Sequence, residues 1–274
     1  MISTDEQITA IHKEKCKVWF FPGADNWDTN LNKFTGSFIR IMKSIFEDDF
    51  QYIKGIYYKS TMLNVIWALN NAQKPISNPQ NQKILTVALN QIISTELSPD
   101  TQLIITSSSS GTIVAAQTAC YLAEKNINKI YLQKPFHVIL RASMLSGESE
   151  LFKQLVHYQK EGIIGKIIHE EVQYEGDTSS GVGGLTRIEA YSNAFGLIFP
   201  WFSKKYNRPS FLNTHPEKGH IHRKRSQMAN LANEFIEVIL IKYKLAGEYY
   251  KEKAVASLIE NNAGADLASP SSQR

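Results

Sequence analysis

Only two cysteines, Cys16 and Cys120, occur in the 274 residues. That is too few for a disulfide framework and suits a reducing compartment. No apolar run approaches the ~20 residues needed to span a bilayer. Met1 to Lys15 carries Asp5, Glu6 and Glu14 and no apolar core, so no signal peptide is expected. The expectation is a cytoplasmic protein without a transmembrane segment, and export without a cleaved signal is compatible with the same residues. Charge of one sign is also scarce. The formal net charge is +4, and the clusters Lys204-Lys205 and Arg223-Lys224-Arg225 are short enough to be solvated helix ends or loops. No nucleic-acid partner is expected. The chain also lacks an H-E-x-x-H pattern and the lysine of a P-loop, and neither a metal nor a cofactor is expected.

What is present is enough apolar material for a sizeable core: 43% hydrophobic residues against 20% charged. Lys17 to Phe21 is a continuous apolar run cut short by Pro22-Gly23, which predicts a buried strand. Further strands are expected at Phe50–Tyr58, Leu103–Ile105, Phe136–Ala142, Ile167–Tyr174 and Ser210–Leu212. Helical spacing predicts helices over Asn32–Phe46, from Ile113 to about Lys125, over Glu148–Glu161 ending at Gly162, and over Arg223–Leu245. In the last of these Met228, Leu231, Phe235, Val238 and Ile239 are expected to face inward. Strands alternating with helices imply an α/β fold, a mostly parallel sheet of about six strands with helices on both faces. Residues 1–16 read as an N-terminal extension, 17–258 as a single domain, and 259–274 as a flexible tail.

The most informative stretch runs from Gln102 to Glu124. Leu103-Ile104-Ile105 leads through Thr106-Ser107-Ser108-Ser109-Ser110-Gly111 into a helical pattern, a strand, sharp turn and helix with serine at the turn. A nucleophile held at such a turn is crowded by the residues two before and two after it, so both must be small. Ser109 satisfies this best, with Ser107 before and Gly111 after. Placing the nucleophile at Ser108 or Ser110 puts a threonine in one crowded position. A serine-rich helix cap is the bland alternative.

Ser107-Ser108-Ser109-Ser110-Gly111 resembles the G-x-S-x-G elbow of the α/β-hydrolase superfamily, with serine for the first glycine. The resemblance covers about Lys17 to Leu245 and implies a member lacking the first strands of larger relatives. In a parallel sheet, ligands bind beyond the carboxyl ends of the strands, so the loops after Phe21, Thr106, Tyr174 and Leu212 are the ones to search. Phe20-Phe21-Pro22-Gly23-Ala24 looks like the oxyanion loop of the acyl-chain thioesterases in that superfamily. The backbone N–H groups of Ala24 and Ser110 would form the oxyanion hole. The superfamily places the acid after the strand before last, which points to Asp177, with Glu175 as the alternative. It places the base between the last strand and the last helix. There Gly219-His220 resembles the usual pair, and His215 and His222 remain alternatives.

The implied activity is that of a serine hydrolase cleaving a carboxylic ester or thioester of a small-molecule or lipid acyl substrate, of lipase, esterase or thioesterase type. Ser109 would attack, His220 would move the proton and Asp177 would orient His220. A catalytically inactive hydrolase-like fold serving as a binding or interaction module is the competing expectation. Its motivation is the missing first glycine and the absent His-Gly of the oxyanion loop.

Overall fold

A computed structural model describes residues 15–23, 36–53, 90, 101–108, 111–129, 131–141, 143, 145, 147–169 and 232–267. Among them, five strands form one sheet: β1 (Cys16–Phe21), β2 (Phe50–Tyr52), β3 (Gln102–Ser108), β4 (Phe136–Arg141) and β5 (Ile164–His169). They lie side by side in the order β2-β1-β3-β4-β5, and every pairing is parallel. The sixth expected strand, Ser210–Leu212, falls outside the described residues.

The strands are continuously apolar because helices cover both faces. Cys16, Val18, Phe20, Ile104 and Ile139 point to one face, where α1 (Gly36–Phe46) and a segment near the C-terminus pack. Trp19, Phe21, Leu103, Ile105, Val138 and Leu140 point to the other, under α2 (Gly111–Lys125) and α3 (Glu150–Lys160). Helix α2 is buried nearly all round, and its small residues Ala115, Ala116, Ala119 and Ala123 let it lie close against the sheet and α3. Ser149 caps α3, its Oγ accepting the Phe152 N–H at 3.2 Å. Gly162, at φ 71°, takes the left-handed conformation that ends the helix.

Strand β5 begins at Ile164, earlier than the Ile167 expected from the sequence. The register explains the difference: Phe136 pairs with Ile164 but Val138 pairs with Ile167, so β5 carries a bulge at Gly165-Lys166. One extra residue breaks the alternation that sequence reading relies on. The bulge turns the Lys166 N–H toward the ring of His137, whose Nδ1 accepts it at 2.9 Å.

Near the C-terminus, a π-helical segment, Phe235–Ile241, stands where a regular helix was expected. Its wider i→i+5 winding buries Phe235, Ile236, Ile239 and Leu240, and turns Val238 out to 40% exposure, against the inward position expected for it. Helix α4 (Glu248–Leu267) follows, running past residue 258 into the stretch assigned to a tail. It is fastened to the amino edge of the sheet. The Tyr250 hydroxyl donates to Asp49, which pairs with Lys17 at 2.7 Å, and the Tyr250 ring stacks on Phe46 with centroids 4.9 Å apart. Among the described residues, no helix is long and apolar enough to cross a membrane.

Candidate functional site

The strand order reverses direction between β1 and β3. The chain leaves β1 toward β2 by way of α1, on one face, and leaves β3 toward β4 by way of α2, on the other. Such a reversal opens a crevice beyond the carboxyl ends of the two strands, the usual place for a ligand in an open α/β sheet. The described wall of that crevice consists of Pro22 and Gly23 after β1, Ser107 and Ser108 at the end of β3, and Gly111 at the start of α2.

Gly111 is pressed against the turn after β1. A Cβ placed on it would lie 2.2 Å from the Pro22 carbonyl oxygen and 2.4 Å from that of Phe21. Real Cβ atoms do not approach backbone oxygens so closely, so only glycine fits. Its φ is not positive. The demand is for space rather than for an unusual dihedral, and it brings the N-terminus of α2 against the carboxyl end of β1.

Ser107 stands where the resemblance would have glycine, and its surroundings accommodate the change. It is buried between Phe21 and Leu140 on the neighbouring strands, and its Oγ donates to the Ile139 carbonyl at 3.1 Å. A hydroxyl satisfied this way is stable in an apolar setting. Ser107→Gly should therefore cost no more than about 1 kcal/mol. Ser107→Val loses the bond and overfills the site, and should cost about 2 kcal/mol in chemical denaturation.

The residues expected to carry chemistry, Ser109, Ser110, Ala24, Asp177, Glu175, His215, His220 and His222, all lie outside the described residues. The structure describes the frame around Ser109 and Ser110 from both sides. The three described histidines hold other positions. His137 sits at the amino end of β4 and is bound to Lys166, and His157 lies on the exposed side of α3. His169, at the carboxyl end of β5, donates Nε2–H to the Leu145 carbonyl at 2.8 Å and rests on Phe152, ring centroids 4.4 Å apart.

Both cysteines are buried in the core. Burial pushes the Cys120 thiol well above its usual range, so it stays protonated and inert. Among the described residues, no group of three His, Cys, Asp or Glu could hold a metal ion.

Arg141 is a component that sequence reading overlooked. It is the last residue of β4, its Cα is the cross-strand partner of Ser108, and it is 3% exposed. Its Nη2 lies 3.1 Å from Oε1 of Glu234, whose side chain is 54% exposed. The available signal is a single arginine closing the apolar run Val138 to Leu140. A buried arginine beside the carboxyl end of the central strand gives this edge of the sheet a fixed positive charge. Comparisons with protein-family models, with curated proteins and with solved structures each returned no match.

Proposed function

We propose that the protein is a serine hydrolase of the α/β-hydrolase type that cleaves a carboxylic ester or thioester through an acyl-enzyme on Ser109. The observation that carries this reading is the contact of Gly111 with the Phe21 and Pro22 carbonyls. It holds the N-terminus of α2 against the carboxyl end of β1, at the reversal of a β2-β1-β3-β4-β5 sheet, and this supports a site shared by Ser109 and Ser110, which precede α2 in the chain, and Ala24, which follows Gly23. N–H groups from those two turns are what a tetrahedral oxyanion needs.

Ser109 attacks the carbonyl carbon, and its proton passes to His220, which Asp177 holds in the productive tautomer. The protonated His220 then donates to the leaving alcohol or thiol, and water repeats the sequence to release the acid. Both cysteines are buried in the core, and burial keeps the Cys120 thiol protonated, which favours serine over cysteine as the nucleophile.

Labelling by a fluorophosphonate probe tests the reading. Wild type should label, and Ser109→Ala should lose all label while keeping the melting temperature within a few degrees. His220→Ala should slow labelling by at least about a hundredfold. Undiminished labelling of Ser109→Ala would refute the assignment of the nucleophile. A folded wild type that neither labels nor turns over p-nitrophenyl esters or acyl thioesters would favour a binding module.

A further inference from the structure

Arg141 differs from every other charged group described in the sheet, because it lies at the carboxyl edge, beside Ser108, and is buried. Burying a guanidinium is costly unless an anion meets it. One anion that meets it is the Glu234 carboxylate, carried on a half-exposed side chain in the helical residues just before the π-helical segment. The planar fork of arginine matches a carboxylate with two parallel hydrogen bonds. The two partners are anchored unequally. Arg141 is buried at the end of β4, whereas the Glu234 side chain is half-exposed, so rotation about its own bonds can carry its carboxylate into solvent.

We propose that Arg141 is a specificity residue that reads a carboxylate on the acyl portion of the substrate, with Glu234 as the stand-in that occupies it between turnovers. The inference rests on the ester-hydrolase reading, and it narrows the substrate class to monoesters or monothioesters of dicarboxylic acids. The incoming carboxylate replaces that of Glu234 on the same guanidinium. The buried charge is thus compensated before and after the exchange, and no bond to carbon is made or broken by it. A neutral acyl chain gains nothing from Arg141 and leaves the ion pair in place.

The test compares two p-nitrophenyl esters of equal chain length, the hexanoate and the monoester of adipic acid, in wild type, Arg141→Lys and Glu234→Gln. Melting temperatures are recorded for all three. Wild type should prefer the adipate monoester by about tenfold or more in kcat/KM, the usual worth of a charge-assisted arginine contact. Arg141→Lys keeps the charge but loses the fork, and should bring the ratio toward unity. Glu234→Gln removes the competing charge and should raise the ratio several-fold through KM, a change that a purely structural ion pair would not produce. Equal kcat/KM for the two esters in wild type, or a ratio unmoved by Glu234→Gln, would overturn the proposal.

If neither ester is cleaved, the hydrolase reading falls and the carboxylate site is judged by binding alone. Adipate should then raise the melting temperature of wild type more than adipamide does, and more still in Glu234→Gln. A shift no greater than that of adipamide rejects the site.

Discussion

Replacing Gly111 by alanine is expected to destabilise the protein by about 3 kcal/mol, the upper end of the usual range for overfilling a packed site. Helix propensity alone predicts the opposite sign, since alanine is better than glycine in a helix by up to about 1 kcal/mol. The contact decides. The new methyl would stand 2.2 Å and 2.4 Å from two backbone oxygens and 2.8 Å from the Pro22 carbonyl carbon, and none of these can rotate away as a side chain could. The turn after β1 and the start of α2 must move apart. For a domain of this size the loss corresponds to a fall of roughly 6–12 °C in melting temperature.

The residues that move, Pro22-Gly23 and Gly111, adjoin Ala24 and Ser110 in the chain. Under the proposed mechanism, a displacement of about 1 Å there lowers turnover by about a hundredfold. Thermal unfolding together with a p-nitrophenyl ester assay checks both expectations. An alanine variant as stable as wild type would mean that the two turns are not in contact.

The second large effect is a loss of stability in mild acid, centred on His137. Burial, and after it the Lys166 ammonium, pushes the imidazole from its ordinary 6.5 down to about 4. The neutral ring also accepts the Lys166 N–H through Nδ1, a bond that a proton on that nitrogen would abolish. Because the folded value is the lower one, the unfolded chain binds more protons throughout the window between them. The contribution is therefore fully present above pH 6.5 and is lost as pH falls toward 4, by about 3 kcal/mol in total.

Carboxylates titrate in the lower part of that window, so the measurement is a difference between wild type and His137→Asn. The asparagine Oδ1 offers an acceptor near the place of Nδ1 and does not titrate. Denaturation at a series of pH values should give a variant whose stability declines less between pH 6.5 and 4. Equal declines would show that His137 protonates without penalty.

Much of the frame was legible in the sequence, for identifiable physical reasons. Runs such as Val18 to Phe21 and Val138 to Leu140 are apolar at every position because both faces of a parallel sheet are covered, and that leaves a plain mark. Gly111 was legible as a residue that had to be small. What it touches was not, because the crowding comes from Pro22, far away in the chain. The bulge in β5 and the π-helical winding at Phe235–Ile241 were hidden because each shifts the period by about one residue per turn or pair. Arg141 was hidden because a terminal charge on an apolar run ordinarily marks the point where a strand meets water. Order along the chain points to Asp177, and order together with the Gly219-His220 pair points to His220; both lie outside the described part of the molecule.

The fastening of Tyr250 to Asp49 joins residues 201 positions apart. A chain emerging from the ribosome therefore makes its central strand long before it can complete the cover on one side of it, where α1 alone is already available. Strands β3, β4 and β5, with α2 and α3 between them, can assemble from neighbouring segments. On the other face Phe20 meets Phe38 of α1 early, but the layer formed by Phe235 to Leu240 and α4 arrives last. During that interval a nascent chain presents a partly covered apolar sheet face to its surroundings. Binding of a chaperone that recognises such faces should be greatest on ribosome-bound chains stalled before residue 232, and should fall once α4 has left the exit tunnel.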